Sequence, residues 1–193
     1  MPVLEKNIRH KDDTLLLASF RQPSSREKAF DALVCKYQQR VYHLVRKMVI
    51  DHDDTDDVVQ EVFIKVWKNL QHFKGDSQLF TWIYRIATNE CLRFLENKKK
   101  KRFWLSTYDV KAELATKLDS STYISGNDIQ RKLQKAILTL PDKQRLVFNL
   151  KYYEDLKYDE IAKITNTSTG SLKASYHHAV KKIEHELKMQ IGE

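Results

Sequence analysis

Apolar residues along this chain recur in threes and fours rather than in strict alternation, which predicts helices. Phe30, Leu33, Val34, Tyr37, Val41, Leu44, Val45 and Met48 form one such series, and the spacing lines them up as a single stripe. A second series is Val58, Val59, Val62, Phe63, Val66, Trp67 and Leu70. Its helix is expected to start in Asp53-Asp54, where negative charge meets the positive end of the helix dipole. Ahead of both, Asp12 or Asp13 is placed to cap a short helix carrying Leu15, Leu16, Leu17 and Phe20. Pro23-Ser24-Ser25 should stop that helix and cap the next. Phe73-Lys74-Gly75-Asp76-Ser77 breaks the pattern as a short loop. A fourth helix, capped by Ser77, should carry Leu79, Ile83, Ile86, Ala87 and Leu95.

Residues 98–126 show no clean helical period. They open with Lys98-Lys99-Lys100-Lys101-Arg102 and later hold Ser120-Ser121-Thr122 and Gly126. This reads as a linker with room for a short helix. It separates an N-terminal domain, 1–97, from a C-terminal one, 127–193. In the latter, Ile129, Leu133, Ala136, Ile137 and Leu140 make one stripe. After Pro141 a second helix carries Leu146, Val147, Phe148 and Leu150. A short helix over 158–164 holds Ile161 and Ala162, Thr165-Asn166-Thr167 makes a turn, and a last helix carries Leu172, Tyr176, Ala179, Val180, Ile183 and Leu187. The fold class is therefore all-α, two small helical domains joined by a flexible linker.

Composition narrows this further. Only four glycines and three prolines occur in 193 residues, too few for a turn-rich β sandwich or a glycine-rich nucleotide fold. The net charge is +8 and the pI about 9.3, which points to an anionic partner such as nucleic acid or an anionic membrane surface. The charge is uneven, with +1 over 1–97, +4 over 98–126 and +3 over 127–193. Cys35 and Cys91 lie far apart in helical contexts and suggest neither a disulfide framework nor a zinc site. The first eleven residues lack an apolar signal core and no run is long enough to span a bilayer. A cytoplasmic protein without stable membrane insertion is expected.

Three features could carry chemistry. The short helix, turn and longer amphipathic helix form a helix-turn-helix pattern, whose second helix enters the major groove. Opposite the apolar stripe of that second helix lie Gly170, Ser171, Ala174, His178, Lys181 and His185, with Lys173, His177 and Lys182 nearer the borders. Lysines there could reach phosphate, and Ser and His could donate to phosphates or bases; a plain solvated face is the alternative. The second feature is acidic: Asp51, Asp53, Asp54, Asp56, Asp57 and Glu61 crowd one helix start. Dipole capping explains part of the cluster, and a metal site is another reading, although the spacing lacks the glycine of a calcium loop. Neither explains Ile64, which falls among Asp57, Gln60, Glu61 and Lys68 on the polar face. An apolar residue ringed by polar ones can dock a partner, or be an ordinary surface isoleucine. The third feature interleaves Phe73, Phe80, Trp82 and Tyr84 with Lys74, Arg85, Asn89 and Arg93. Rings stack on unpaired bases and cations hold the backbone. Some of these rings belong to the core, and at least one is expected to be exposed. No phosphate-binding glycine loop, His-Glu-x-x-His pattern or nucleophile elbow appears, so no enzyme activity and no cofactor are expected.

These blocks resemble those of bacterial RNA polymerase sigma factors. The segment from Asp53-Asp54-Thr55-Asp56-Asp57 to Val62-Phe63-Ile64-Lys65-Val66-Trp67 is similar to their polymerase-binding helix. Phe73-Lys74-Gly75-Asp76-Ser77 and Phe80-Thr81-Trp82-Ile83-Tyr84-Arg85-Ile86-Ala87-Thr88-Asn89 are similar to the promoter-melting and minus-10 segment. Tyr158-Asp159-Glu160-Ile161-Ala162 and Gly170-Ser171-Leu172-Lys173 resemble the minus-35 helix-turn-helix. Two such domains without a middle domain resemble the extracytoplasmic-function group of the sigma-70 family. The resemblance implies core RNA polymerase and promoter DNA as partners, with an anti-sigma factor as a regulator. It implies polymerase binding by Asp56, Asp57, Gln60, Glu61, Ile64, Lys65 and Lys68. Minus-10 recognition and melting would fall to Lys74, Gly75, Asp76, Ser77, Phe80, Thr81, Trp82, Tyr84, Arg85, Asn89 and Arg93. Minus-35 recognition would fall to Thr167, Ser168, Thr169, Gly170, Ser171, Lys173, Ala174, His177, His178 and Lys181.

The chain departs from the family in its recognition helix. Many members have Lys-Ser-Arg-Leu-His-Arg where this chain has Lys173-Ala174-Ser175-Tyr176-His177-His178. Two arginines are absent, and with them fork-like contacts to guanine and phosphate. The C-terminal domain is therefore expected to bind weakly alone and to depend on tethering by polymerase. A stand-alone helix-turn-helix regulator is the competing reading.

Overall fold

The computed structural model describes residues 13–104 and 128–191, and among these the regular structure is helical. A short helix α1 spans 13–20, followed by a 3-10 turn, Pro23–Ser25. Helices α2 (Arg26–Val49), α3 (His52–Asn69) and α4 (Leu79–Trp104) form the N-terminal bundle. Helices α5 (Asp128–Leu138), α6 (Asp142–Tyr152), α7 (Tyr158–Thr165) and α8 (Thr169–Ile191) form the C-terminal part.

The expected stripes of α2 and α3 are buried. Leu33, Val41, Leu44 and Met48 of α2 meet Val58, Val62 and Val66 of α3 and Ile83, Ala87 and Leu95 of α4. Trp67 closes one end: its ring lies 5.4 Å from Phe20 and 4.9 Å from Phe30, both edge-on. The Arg26 guanidinium covers Phe20 at 4.8 Å and Trp67 at 5.0 Å, a cation–π cap over the cluster.

The caps differ from those expected. Ser25 occupies the N-cap position of α2 without a side-chain cap bond; its hydroxyl donates instead to the Ser19 carbonyl at 2.8 Å. Asp53 and Asp54 lie in the first turn of α3 as expected, and Asp51 adds a side-chain cap, accepting from the Asp54 N–H at 3.0 Å. Helix α4 begins at Leu79, so Gln78 rather than Ser77 precedes its first residue. Asp13 is buried, with its carboxylate accepting from Tyr37 and from Lys36 at 2.8 Å. Between α2 and α3 the chain turns at Ile50, which has φ 70° and donates its N–H to Arg46 O at 2.9 Å. A β-branched residue is strained there. Burial of its side chain offsets that cost.

The largest differences from expectation concern the middle of the chain. Helix α4 runs on through the basic run at 98–102 to Trp104. Its charges find partners on other helices: Lys98 pairs with Asp54 of α3, and Lys99 with Asp142 of α6, while Lys100 pairs with Glu96 one turn back. The rest of the expected linker, 105–126, lies outside the described residues. The C-terminal part also does not stand apart. Ala136, Ile137, Leu140, Phe148, Ala179 and Ile183 form its own small core. Leu146, Val147, Leu150, Leu156, Ile161, Ile164 and Leu172 join the N-terminal core instead. Helix α6 thus sits between two cores, packing on α8 and also on α2 and α4.

Candidate functional site

The acidic stripe on α3 faces outward. Asp56, Asp57, Gln60, Glu61, Ile64 and Lys68 are exposed, at the spacings that share one helix face. Ile64 is 37% exposed, an apolar residue amid charge. The half-buried Lys65 turns toward α4 and pairs with Glu90, which also pairs with Arg93. Part of the acidic cluster has structural partners: Asp51 caps the helix, Asp54 holds Lys98, and Asp56 lies 3.0 Å from His52. Among the described residues no group of three or more His, Cys, Asp and Glu is placed to hold a metal.

The loop before α4 is open, with Lys74, Gly75 and Asp76 exposed and Ser77 partly so. Gly75 has φ +83°, a conformation a side chain would strain. The rings nearby are less accessible than expected. Phe73 and Tyr84 are buried, and Phe80 and Trp82 are half-buried. None of the four is exposed, because each packs on another ring: Trp82 on Phe73 at 5.3 Å and Phe80 on Tyr84 at 4.0 Å. Helical period told which side each ring occupies, not what lies over it. Thr81 is buried as well, whereas Arg85, Asn89 and Arg93 lie on the exposed side of α4. Arg85 is already engaged, donating to the Lys163 carbonyl of α7 at 2.6 and 3.1 Å.

The helix-turn-helix is formed by α7 and α8. Glu160 accepts from the Lys157 N–H at 3.0 Å and so caps the start of α7. Asn166 ends α7 in the left-handed region, φ 53°, which Asn tolerates well. Ser168 caps α8, its oxygen accepting from the Ser171 N–H at 3.2 Å. Leu172, Ala179 and Ile183 turn inward. Thr167, Ser168, Gly170, Ser171, Lys173, Ala174, His177, His178 and Lys181 are exposed, Thr169 partly so. Lys182 leaves this face and donates to the Thr139 carbonyl at 3.0 Å.

A set of residues between the two parts escaped the sequence reading. Glu154 accepts from Tyr84 Oη at 2.8 Å, and lies 3.5 Å from Arg40 and 3.8 Å from Lys47. Burial, reinforced by the Glu154 charge, pushes the Tyr84 hydroxyl well above its ordinary range. Burial also lowers Lys47, with Glu154 opposing it. Arg145 and Asn149 of α6 are buried against the end of α2. The available signal was two polar residues four apart inside an apolar run. Cys91 lies in this region too, its thiol pushed up to about 12 mainly by burial, hence no thiolate at neutral pH.

Residues 33–101 match the family model for sigma-70 region 2, and residues 130–183 the model for sigma-70 region 4. The chain is 30% identical over 171 residues to the ECF RNA polymerase sigma-E factor of Haemophilus influenzae, covering 83% of this chain and 88% of that protein. It is equally similar, over 87% of its length, to the sigma-E factor of Escherichia coli. The chain belongs to the extracytoplasmic-function sigma factors. It is 29% identical to the RNA polymerase sigma-H factor of Pseudomonas aeruginosa over 86% of this chain and 90% of that one. The fold of this sigma factor is also that of CnrH bound to the cytosolic domain of CnrY, with TM-score 0.66, 22% identity, and coverage of 92% of this chain and 98% of that one. A second solved structure, RpoE with the anti-sigma factor NepR from Bartonella quintana, gives TM-score 0.67 at 19% identity, covering 83% and 98%. As a sigma factor the protein is a promoter-specific initiation factor that works with core RNA polymerase, and not an enzyme. The region 2 match sets aside the stand-alone helix-turn-helix regulator. Among the described residues no helix is long and apolar enough to cross a membrane.

Proposed function

We propose that three surfaces divide the work of initiation in this sigma factor. The stripe of Asp56, Asp57, Gln60, Glu61, Ile64, Lys65 and Lys68 docks on core polymerase. The loop of Lys74, Gly75, Asp76 and Ser77, with Arg85, Asn89 and Arg93 and the half-buried Phe80 and Trp82 on α4, takes the separated minus-10 strand, while Thr81 and Tyr84 are buried behind this face. The start of α8, from Thr167 through Ser171 and on through Lys173, Ala174, His177, His178 and Lys181, reads the minus-35 element. Residues 1–97 and 127–193 act as the two working domains, with 98–126 as the connection that lets both reach DNA. The site of action is the cytoplasm, where polymerase and chromosome lie. An anti-sigma factor is the regulatory partner, a reading supported by the sigma–anti-sigma pairs among the structural neighbours.

The observation that carries the docking assignment is Ile64. It is exposed at the centre of a charged stripe whose opposite side is fully committed to the core. A partner that covers it gains apolar burial, and the surrounding charges fix orientation. Strand opening needs no fuel in this scheme, because a pocketed base and a held strand offset an unstacking cost of a few kcal/mol. The test is co-purification of the Ile64→Glu variant with core polymerase. Lost binding with an unchanged helical spectrum supports the assignment; unchanged binding removes Ile64 from the interface.

A further inference from the structure

Helix α3 runs on past Asn69 as a 3-10 turn, Leu70–His72, and the backbone becomes extended at Phe73. Carbonyls at this end form the negative pole of the helix and lack intrahelical donors. Two arginines reach it from the junction of α1 and α2. Arg21 Nη2 donates to the Phe73 carbonyl at 3.4 Å, and Arg26 Nη2 donates to Gln71 Oε1 at 3.3 Å.

Phe73 is thereby held on three sides. Its N–H donates to the Leu70 carbonyl at 3.2 Å, its carbonyl accepts from Arg21, and its buried ring packs on Trp82 at 5.3 Å. Residues 74–78 follow as the open loop, which turns at Gly75 with φ +83°. Phe73 is the root of that loop, and Trp82 is on the helix that receives its other end.

The element that presents Arg21 is fixed at both ends. Asp13, at the start of α1, is buried and accepts from Tyr37 Oη and Lys36 Nζ, each at 2.8 Å. Phe20, at the end of α1, is buried edge-on to Trp67. Arg26 covers that pair of rings, and the Ser25 hydroxyl ties the intervening turn to the Ser19 carbonyl. A donor on so rigid a mount holds its acceptor in place at little further entropic cost. Asp13, Arg21, Ser25 and Arg26 all precede residue 33, where the region 2 match begins, so that match assigns them nothing.

We propose that Arg21 is a positioning residue for promoter opening: through the Phe73 carbonyl it fixes the root of the 74–78 loop in the arrangement that takes the separated strand. The inference rests on the minus-10 assignment above. A loop ordered in advance loses little further freedom when the strand arrives. Without Arg21 the Phe73 carbonyl is free to turn, and the misplacement passes on to the loop and to Trp82, where small errors of geometry slow a reaction.

The test uses holoenzyme reconstituted from core polymerase and the full chain. Arg21 is exposed, so its substitution leaves the Phe20–Trp67 pair intact. Arg21→Met keeps an unbranched stem and removes the donors, whereas Arg21→Lys keeps a cationic donor. Permanganate reactivity of unpaired thymines, followed in time, should show opening slowed about 5-fold in Arg21→Met, the scale of one hydrogen bond. Arg21→Lys should recover roughly half of the wild-type rate, since it offers one point donor where Arg offers a fork. Core affinity, the thermal midpoint and the salt slope of promoter binding should not change. In the free protein, hydrogen exchange should quicken at residues 74–78 and not in α2 or α3. Wild-type opening by Arg21→Met overturns the proposal, even with faster exchange in the loop, because the tether is then structural only. So does a salt slope lowered by about 1, which would put the guanidinium on a phosphate. Failure of the minus-10 assignment looks different: Lys74→Ala and Asp76→Ala would then open promoters at the wild-type rate. The positioning role itself fails when those two are slow and Arg21→Met is not.

Discussion

The outer face of α8 and the outer face of α4 are the two surfaces assigned to promoter DNA, and they differ in what lies against them. The α8 face, from Gly170 to Lys181, stands in solvent with its cap already built by Ser168. On α4, Tyr84 is buried under Glu154 and Arg85 is bonded to α7. One reading head is ready before any partner arrives; the other is partly spent on holding the molecule together. A domain with a free recognition helix would be expected to bind duplex DNA on its own. Here that helix lacks the arginines that make such binding tight, so readiness and weakness come together.

Helix α6 gives the sharpest way to break this comparison, because its two faces serve different cores. Phe148→Ala strikes the core of region 4, where its ring stacks on Tyr176 at 5.8 Å. It should cost about 3–5 kcal/mol and abolish minus-35 binding, as read by denaturant titration and by binding to promoter DNA. Leu150→Ala strikes the shared core and should cost about 2–5 kcal/mol in the same titration while leaving the α8 face competent. Equal loss of DNA binding in both variants would mean that region 4 has no independent integrity. Smaller in scale, Ile64→Glu should weaken core binding by about 2 kcal/mol, roughly 30-fold, with no change in DNA contacts. Smaller again, Lys173→Ala and Lys181→Ala should each lower promoter affinity a few-fold and reduce the salt slope by about 1. An unchanged slope would take that lysine off the phosphates. The least disruptive probe is alkylation near pH 8: exposed Cys35 should react, while Cys91, with its thiol held near 12, should stay protected until the chain unfolds.

Much of the fold was legible because helices α2, α3 and α8 each carry one apolar stripe, and a stripe states which side is buried. It was also legible that Ile64 breaks the polar side of α3. What the pattern did not reveal was where two helices from different domains meet. Periodicity treats each helix alone, so Phe80, Trp82 and Tyr84 could be assigned a side but not a cover. The missed clue lies in α6. Leu146, Val147, Phe148 and Leu150 are four apolar residues among five, too many for one stripe, and they imply burial on two sides. The basic run at 98–102 misled in the opposite sense. Its charge suggested a linker, yet Lys98, Lys99 and Lys100 find carboxylates on α3, α6 and α4, and pairing removes the repulsion that would keep such a run from coiling into a helix.

The double allegiance of α6 has a thermal consequence. Melting either core strips a wall from the other, so heating the wild-type chain should give a single calorimetric peak whose van't Hoff and calorimetric enthalpies agree.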